Sequence, residues 1–493
     1  MNRFRLFVIV PLLLLLAACA TNPATGGKSF TAFMSPEQER QIGAQEHPRL
    51  VKEMGGAYPD PALQAYVTEI GLKLLSVSET PNVPYTFTII DSDDVNAFAL
   101  PGGYVHVTRG LLALANSEAE LAGVLAHEIG HVVARHSAQR YSRSITVGLG
   151  AAVLGAVASA AGLPAGVGDL TALGAQAYLQ SYSREQELEA DMLGVRYLTD
   201  AGYEPRAMAT FLEVLNDYSR LQATLAGRPE AAAGGGTIMA SHPRTADRVA
   251  RATQHALQTP VAEARVGRDA YLAKIDGLIY GDSPAQGLRL GRDFYHQGLR
   301  FAFRVPPGFA MINRPNQVVA RGPQGALIAF DMARPPNMRD PVSYVGRDWG
   351  GGLGLTHVER IAVNGMDGAT GAARVRTRGG VADVRLVAIQ ADPAQVYRFI
   401  FITPPQLTGQ LAAELQQTIG SFRRLSEAEA AAVKPLRIRV VTVKPGGTAQ
   451  SLAARMPFAE HQLEHFLVLN QIGPSALLKP GQKVKTVTRD GGR

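Results

Sequence analysis

His127 and His131 stand four residues apart in the run His127-Glu128-Ile129-Gly130-His131. On a helix, residues four apart share a face. Two imidazoles so placed reach one ion at about 2.0–2.1 Å each, which suits zinc. Glu128 is rotated by about 100° from His127, so it flanks the ion instead of ligating it. A carboxylate there can take a proton from a water activated by the ion and later give it to a leaving amine. Gly130 removes a side chain beside the ion, leaving room for substrate. The competing reading is two surface histidines on an ordinary core helix. With one cysteine, Cys19, the chain has no intrachain disulfide, four-cysteine zinc site or iron–sulfur cluster. Any metal must therefore use carboxylates and some of the eleven histidines.

The element that must present the pair begins at Ser117. Ser117 followed by Glu120 has the form of a capping box. Leu121, Val124, Leu125 and Val132 then supply an apolar stripe at helical spacing, predicting a helix of about five turns that faces a core. Catalytic zinc takes a third protein ligand and keeps a position open for water. The candidate region is Ser183-Arg-Glu-Gln-Glu187-Leu-Glu-Ala-Asp191-Met-Leu-Gly194, again helical. Glu187 and Asp191 share a face: Glu187 could ligate while Asp191 bonds the free nitrogen of a ligand histidine. Gly194 lies on that face too and permits close helix approach. A solvated acidic helix face is the alternative, and Glu185 and Glu189 fit it.

Together, HEIGH at 127–131 and SREQELEAD at 183–191 resemble the gluzincin family that includes the HtpX heat-shock proteases and the CAAX prenyl endopeptidases. Asn96-Ala97-Phe98 through Pro101-Gly102-Gly103 resembles that family's strand and turn before the active helix. Ser241-His242-Pro243-Arg244 with Arg248 resembles its His-Pro element after the third ligand. The resemblance covers about residues 35–260. It implies His127, His131 and Glu187 as ligands of one Zn²⁺ per chain, Glu128 as catalytic base and Asp191 as a supporting acid. His242, Arg248 and Asn96 are candidates for substrate or oxyanion contacts; His242 could also cap the zinc in a resting state, and Arg248 could pair with a core acid. His47, His106, His136, His255, His296, His357, His461 and His465 form no second ligand motif and read mostly as surface residues. Val83–Ile90 and Tyr104–Thr108 are rich in strand formers, with Pro-Gly-Gly as a turn between the two halves. Either one of them is an exposed edge beside the zinc, where an extended peptide pairs by β-augmentation, or they form an ordinary hairpin.

Arg3 and Arg5 precede the apolar run Leu6–Leu16, followed by Ala17-Ala18-Cys19. That is an export signal, too short for a membrane span. Leu-Ala-Ala-Cys resembles the bacterial lipoprotein box, which implies a lipidated Cys19; a plain secretory signal is the alternative. Ala20, after the cysteine, favours the outer membrane by the same resemblance. Residues 1–18 are thus read as signal peptide and 19–34 as a tether. The stretch from Ile145 to Gly168 is uncharged and Ala/Gly-rich. It reads as an apolar element beside the active site, or as a membrane helix by its length.

Apolar residues at 46% and charged residues at 18% exclude a disordered chain. Lys plus Arg (49) against Asp plus Glu (42) leaves +7, dispersed along the chain, so nucleic acid is not an expected partner. Residues 290–425 alternate apolar and polar positions, as in Phe301-Ala-Phe303 and Val396–Ile402, before a helical stretch at Gln406–Gly420. They read as a small α+β accessory domain with an antiparallel sheet and, around Trp349 and the glycines after it, a flexible loop. Residues 436–488 resemble a LysM-like βααβ domain, which implies possible peptidoglycan binding. The expected fold class is α+β: a mainly helical zincin-type domain with a small sheet at 35–260, then the two smaller domains. The expected function is a zinc endopeptidase, anchored to the outer membrane in the periplasm, that cleaves misfolded or unassembled envelope proteins. The alternatives are a non-catalytic chaperone or peptidoglycan-binding lipoprotein scaffold, and a metal-dependent amidase on cell-wall peptides.

Overall fold

The computed structural model describes residues 19–31, 33–145, 182–227, 242, 246–258, 260–335, 340–377, 380–392 and 395–489. The signal segment 1–18, the Ala/Gly-rich stretch beyond Ile145, and Ser241, Pro243 and Arg244 lie outside the described residues. The chain divides into two compact units, Met1–Tyr280 with Arg437–Thr488, and Gly281–Leu436 with Arg489–Arg493. Among the described residues, no helix is long and apolar enough to cross a membrane.

The first unit opens with a two-stranded hairpin, β1 (Cys19–Thr21) and β2 (Lys28–Phe30). The sequence suggests a free tether here. Instead Asn22, Ser29, Thr31 and Met34 are buried, because Asn22 closes the turn through Ala24 N and donates to Glu189 Oε1 at 2.7 Å. Helix α1 (Pro36–Glu53) starts on a Ser35–Gln38 capping box and α2 (Pro61–Leu75) on Asp60. Three short strands follow, β3 (Thr86–Ile90), β4 (Ala97–Leu100) and β5 (Tyr104–Thr108), in the order β3-β5-β4. The two segments singled out in the sequence do not form a hairpin with each other. β3 pairs parallel with β5, and the Pro101-Gly102-Gly103 turn joins β5 to β4. Gly102 at φ +82° and Gly103 at φ +93° make that turn possible without a Cβ penalty.

The short helix α3 (Arg109–Leu114) leads to α4 (Glu118–Val133), which carries the histidine pair. Ser117 Oγ accepts from Glu120 N, half of the expected capping box. The other half is absent because the Glu120 carboxylate turns to Asn116 N at 2.8 Å and to Gln471 Nε2 at 2.8 Å. Within α4 every residue but Val132 is buried, so the helix is central to the unit and not faced on one side. It packs against α2, β4, α5 (Arg184–Asp200), α6 (Ala207–Leu225) and the later helix α8 (Arg268–Ile275). Helix α7 (Ala246–Gln258) lies against α5 and α6, and α8 leads into strand β6 (Ile279–Tyr280).

The second unit holds two antiparallel sheets. β7 (Leu288–Leu290), β8 (Asp293–His296), β9 (Phe301–Arg304) and the late strand β17 (Arg423–Arg424) run in the order β17-β9-β8-β7. The larger sheet comprises β10 (Ala310–Arg314), β11 (Gln317–Arg321), β12 (Leu327–Ala333), β13 (Thr356–Val363), β14 (Met366–Thr377), β15 (Gly380–Asp392) and β16 (Gln395–Thr403). Its order is β10-β11-β12-β16-β15-β14-β13. Phe399 and Phe401 alternate with half-buried Arg398 and Ile400 along β16; the phenylalanine face is deeply buried, and Ile400 and Ile402 on the other face pack on a second, smaller cluster with Tyr344, Val345 and Leu386. The Phe399 and Phe401 rings join Phe301, Phe303, Phe330, Tyr397 and Phe422 in a core that helix α9 (Pro405–Ser421) covers with Leu407, Leu411 and Leu415. Trp349 is anchored, stacked on Tyr344 with the Arg398 guanidinium 5.0 Å from its ring centroid. The short helix α10 (Glu427–Ala432) closes the unit.

The C-terminal segment has the order β18 (Leu436–Thr442), α11 (Ala449–Ala453), α12 (Gln462–Asn470), β19 (Lys483–Arg489). The sequence suggests a separate domain, but β18 pairs with both β19 and β6, and Arg437–Thr488 group with the first unit. Lys485 shows why. Fully buried, its Nζ donates to Ala113 O, Leu114 O and Ala115 O at 2.8, 3.0 and 2.8 Å, satisfying the carbonyl end of α3. Lys485→Met leaves Ala113 O and Ala115 O buried without that donor, while Leu114 O keeps the bond from Asn116 Nδ2. The expected loss is on the order of 3 kcal/mol in denaturant unfolding, since each unsatisfied group costs roughly 1–3 kcal/mol; an unchanged midpoint would show that the ammonium contributes nothing net.

Candidate metal centre

α4 and α5 meet where their side chains are smallest. A Cβ on Gly194 would lie 3.3 Å from His127 N and 2.5 Å from the flexible end of Met208, so any larger residue would push α5 a few tenths of an ångström off α4. A Cβ on Gly130 would lie 3.2 Å from Ala190 O and 3.3 Å from Leu193 Cβ. Gly130 therefore serves the helix crossing, not room for substrate as its position in the motif suggests.

That crossing brings His127, His131 and Glu187 together, and His242, just ahead of α7, completes the group. One ligand atom from each lies within 4.8 Å of the others. His127 Nε2 is 3.0 Å from His131 Nε2, 3.3 Å from His242 Nδ1 and 3.6 Å from Glu187 Oε2. Glu187 Oε1 is 3.5 Å from His131 Nε2 and 2.9 Å from His242 Nδ1. Tetrahedral ligands at about 2.0–2.1 Å from an ion are about 3.3 Å apart. The observed separations bracket that value, so the donors fit one tetrahedral cation.

Electrostatics point the same way. Glu128, Glu187 and Asp191 are 0%, 1% and 3% exposed, and Arg248, at 2%, is the guanidinium set against them. With His242 neutral, as a ligand must be, three carboxylates and one guanidinium leave a formal charge of minus two, which a divalent cation cancels; without the cation, a protonated His242 offsets part of it. Neither oxygen of Glu128 has a hydrogen-bond partner among the described residues, and His242 Nε2 lies 3.5 Å from Oε1. Such an orphaned carboxylate calls for a ligand or water beside it. Burial pushes the Glu187 carboxyl up, but the charge of His242 and hydrogen bonds from His131 and His242 outweigh this and hold it well below the usual range. For His131, burial dominates and keeps the imidazole neutral, the form that ligates.

Asp191 Oδ1 lies 3.0 Å from His127 Nδ1, on the side of the ring away from the cluster. Burial would raise its pKa, but hydrogen bonds from Arg248 and His127 lower it overall. Arg248 Nε and Nη2 each lie 2.7 Å from Asp191, and Nη1 lies 2.5 Å from Glu187 Oε2. The guanidinium is thus turned to the ligand carboxylates as a clamp, the core pairing, and not offered to a cleft as an oxyanion donor. Asn96, at the start of β4, has a buried amide oxygen but stands outside the donor set. His242, one of the substrate candidates, sits among the ligands.

Three neighbours escape a motif-based reading. His136, which reads from sequence as a surface residue, is 0% exposed with Nδ1 2.8 Å from His131 Nδ1. Glu189, assigned to a solvated face, reaches His136 Nε2 at 3.2 Å. Tyr182 stacks on His131 with centroids 3.8 Å apart, and the Arg140 guanidinium lies 3.7 Å from the tyrosine ring. Helical spacing cannot reveal His136, because α4 ends at Val133 and Arg135 takes φ +56°, turning the chain back onto the metal side.

With this geometry in hand, residues 61–256 match the profile of Peptidase family M48. The chain is 35% identical over 258 residues to the Beta-barrel assembly-enhancing protease of Escherichia coli, covering 50% of this chain and 50% of that protein. It is 38% identical over 141 residues to the Mitochondrial metalloendopeptidase OMA1 of Arabidopsis thaliana, covering 28% and 27%. Over 138 residues it is 34% identical to Metalloprotease LoiP of Escherichia coli, covering 27% and 52%. The chain spans about half the length of the curated relatives it matches.

Removing the clamp should be severe. Arg248→Leu leaves Asp191 and Glu187 facing each other without a cation, and the expected cost is about 3–5 kcal/mol in chelator-treated protein. Urea unfolding measures it, and a loss below about 1 kcal/mol would mean the carboxylates are compensated elsewhere.

Proposed function

We propose that the chain, whose residues 61–256 match the profile of Peptidase family M48, is a zinc-dependent endopeptidase of the bacterial cell envelope. His127, His131 and Glu187 hold the ion, Glu128 is the general base, and Asp191 orients His127. The observation that carries this reading is the buried, unpartnered carboxylate of Glu128 next to a donor set of tetrahedral dimensions. A scaffold has no use for a desolvated base at that place.

When bound, zinc supplies Lewis acidity, polarising a peptide carbonyl and lowering the pKa of a nearby water. Glu128 accepts the water's proton and returns it to the leaving amine. Asp191 Oδ1 stands 3.0 Å from His127 Nδ1, the nitrogen that carries the proton when Nε2 ligates, and Arg248 holds Asp191 in place. β4 is an edge of its sheet and packs on α4, with all four residues buried, so an extended substrate segment can add to it by backbone hydrogen bonds only once that edge is uncovered. Such recognition is tolerant of sequence yet demands an unfolded stretch. Misfolded or unassembled envelope proteins are therefore the proposed substrates, a reading supported by the name of the Escherichia coli relative, Beta-barrel assembly-enhancing protease. The lipoprotein-like Leu16-Ala17-Ala18-Cys19 supports placement in the periplasm on a lipid anchor at the outer membrane. Peptidoglycan binding by the C-terminal βααβ segment is a further proposal, resting on its element order.

Glu128→Gln should retain zinc by metal analysis and lose cleavage of unfolded casein by about 10²–10⁴-fold, the usual contribution of a general base. Chelator should abolish wild-type cleavage and zinc should restore it. Casein digestion by Glu128→Gln at the wild-type rate would reject Glu128 as the base. His242 takes the position that a water or substrate needs, and this resting arrangement must open before turnover. His242→Ala should accordingly raise casein cleavage severalfold, whereas a fall would restore an oxyanion role.

A further inference from the structure

His127 and His131 each need a partner for Nδ1 if Nε2 faces the ion, because a neutral imidazole carries one donor and one acceptor nitrogen. His127 meets a carboxylate directly. His131 does not: its Nδ1 meets another imidazole nitrogen, His136 Nδ1, at 2.8 Å. With Nε2 of His131 in the donor set, its Nδ1 bears the proton, so His136 Nδ1 must accept. His136 then carries its own proton on Nε2, which lies 3.2 Å from Glu189 Oε2. The other oxygen of Glu189 accepts from Asn22 Nδ2 at 2.7 Å, in the turn of the N-terminal hairpin. Every donor in this chain meets an acceptor, and only one set of tautomers satisfies it throughout.

We propose that His136 is a positioning residue for the metal, linking the ligand His131 to the carboxylate of Glu189 and, through Asn22, to the hairpin that follows Cys19. The inference rests on the metal reading above and adds a route by which the second histidine is oriented. His131 thus has a carboxylate behind it as His127 does, one imidazole further away. His136 is 0% exposed and Asn22 5%, so the bond between the two imidazoles is shut off from water, while the Glu189 carboxylate that ends the chain stays partly exposed. Stacking of Tyr182 on His131 fixes the ring plane, but a 180° flip about the Cβ–Cγ bond keeps that plane while exchanging Nδ1 with Cδ2; the bond from Nδ1 to His136 selects one of the two orientations. The hairpin at 19–30 becomes part of the support of the metal centre.

The test is zinc affinity, measured by chelator competition on the full chain, with unfolding of the zinc-free protein followed in parallel. His136→Leu removes the acceptor and should weaken zinc binding by about 10–100-fold, the range for loss of an outer hydrogen-bond partner. His136→Asn keeps an acceptor near the Nδ1 position and should recover most of that loss. Glu189→Gln, on a side chain 24% exposed, should fold normally and still weaken zinc binding severalfold. A structural role alone would lower zinc-free stability in all three variants without ordering their affinities in this way. If His136→Asn and Glu189→Gln, both folded, bind zinc as tightly as wild type, the proposal is overturned while the metal reading stands. If the wild-type chain itself takes no zinc, both fall together.

Discussion

A cluster of buried carboxylates is stable only if positive charge is set against it. Glu128, Glu187 and Asp191 lie within one pocket of low dielectric, and Arg248 balances part of their charge. The remainder is the physical basis for a divalent cation, and the arrangement of the neighbouring side chains follows from it. Arg248 must reach two carboxylates at once, which a planar fork of donors does and an ammonium does less well. The histidines must stay neutral, which their burial ensures for His131. A base must be left without a partner, because a carboxylate satisfied by the protein has no reason to take a proton from water.

This balance requires the donors of three separate segments to converge, and the fold achieves it by economy of side chains. Gly194 and Gly130 let α5 lie close on α4, so that Glu187 and Asp191 arrive on opposite sides of His127. α4 itself is buried on nearly every face, which denies its rotation. Its start is held by Ser117 and by Asn116, and the latter donates to Leu469 O of the C-terminal segment. A segment hundreds of residues downstream in sequence is thereby a structural neighbour of the helix that carries the histidines, and the buried Lys485 is the clearest sign of it.

The second unit follows different physics. Its core is a cluster of aromatic rings between two antiparallel sheets and a covering helix, with no group of metal-ligating side chains among its described residues. Stacked and tilted phenyl rings add specific geometry to apolar burial, which makes a rigid platform.

Much was legible in the sequence alone. Local rules set the helices, since capping serines and apolar spacing depend only on neighbours along the chain. Spacing of four places His127 with His131 and Glu187 with Asp191, because the helix imposes that period wherever it forms. Alternation along Val396–Ile402 likewise announced an antiparallel sheet. The roles of His136, Glu189, Asn22 and Lys485 were decided only by tertiary structure. Each depends on a contact set by a chain reversal, such as Arg135 at φ +56°, or by strands that meet from distant parts of the sequence. A periodic pattern reports what one element does to itself. Which buried donor finds which acceptor across elements is settled by packing, and no local spacing encodes it.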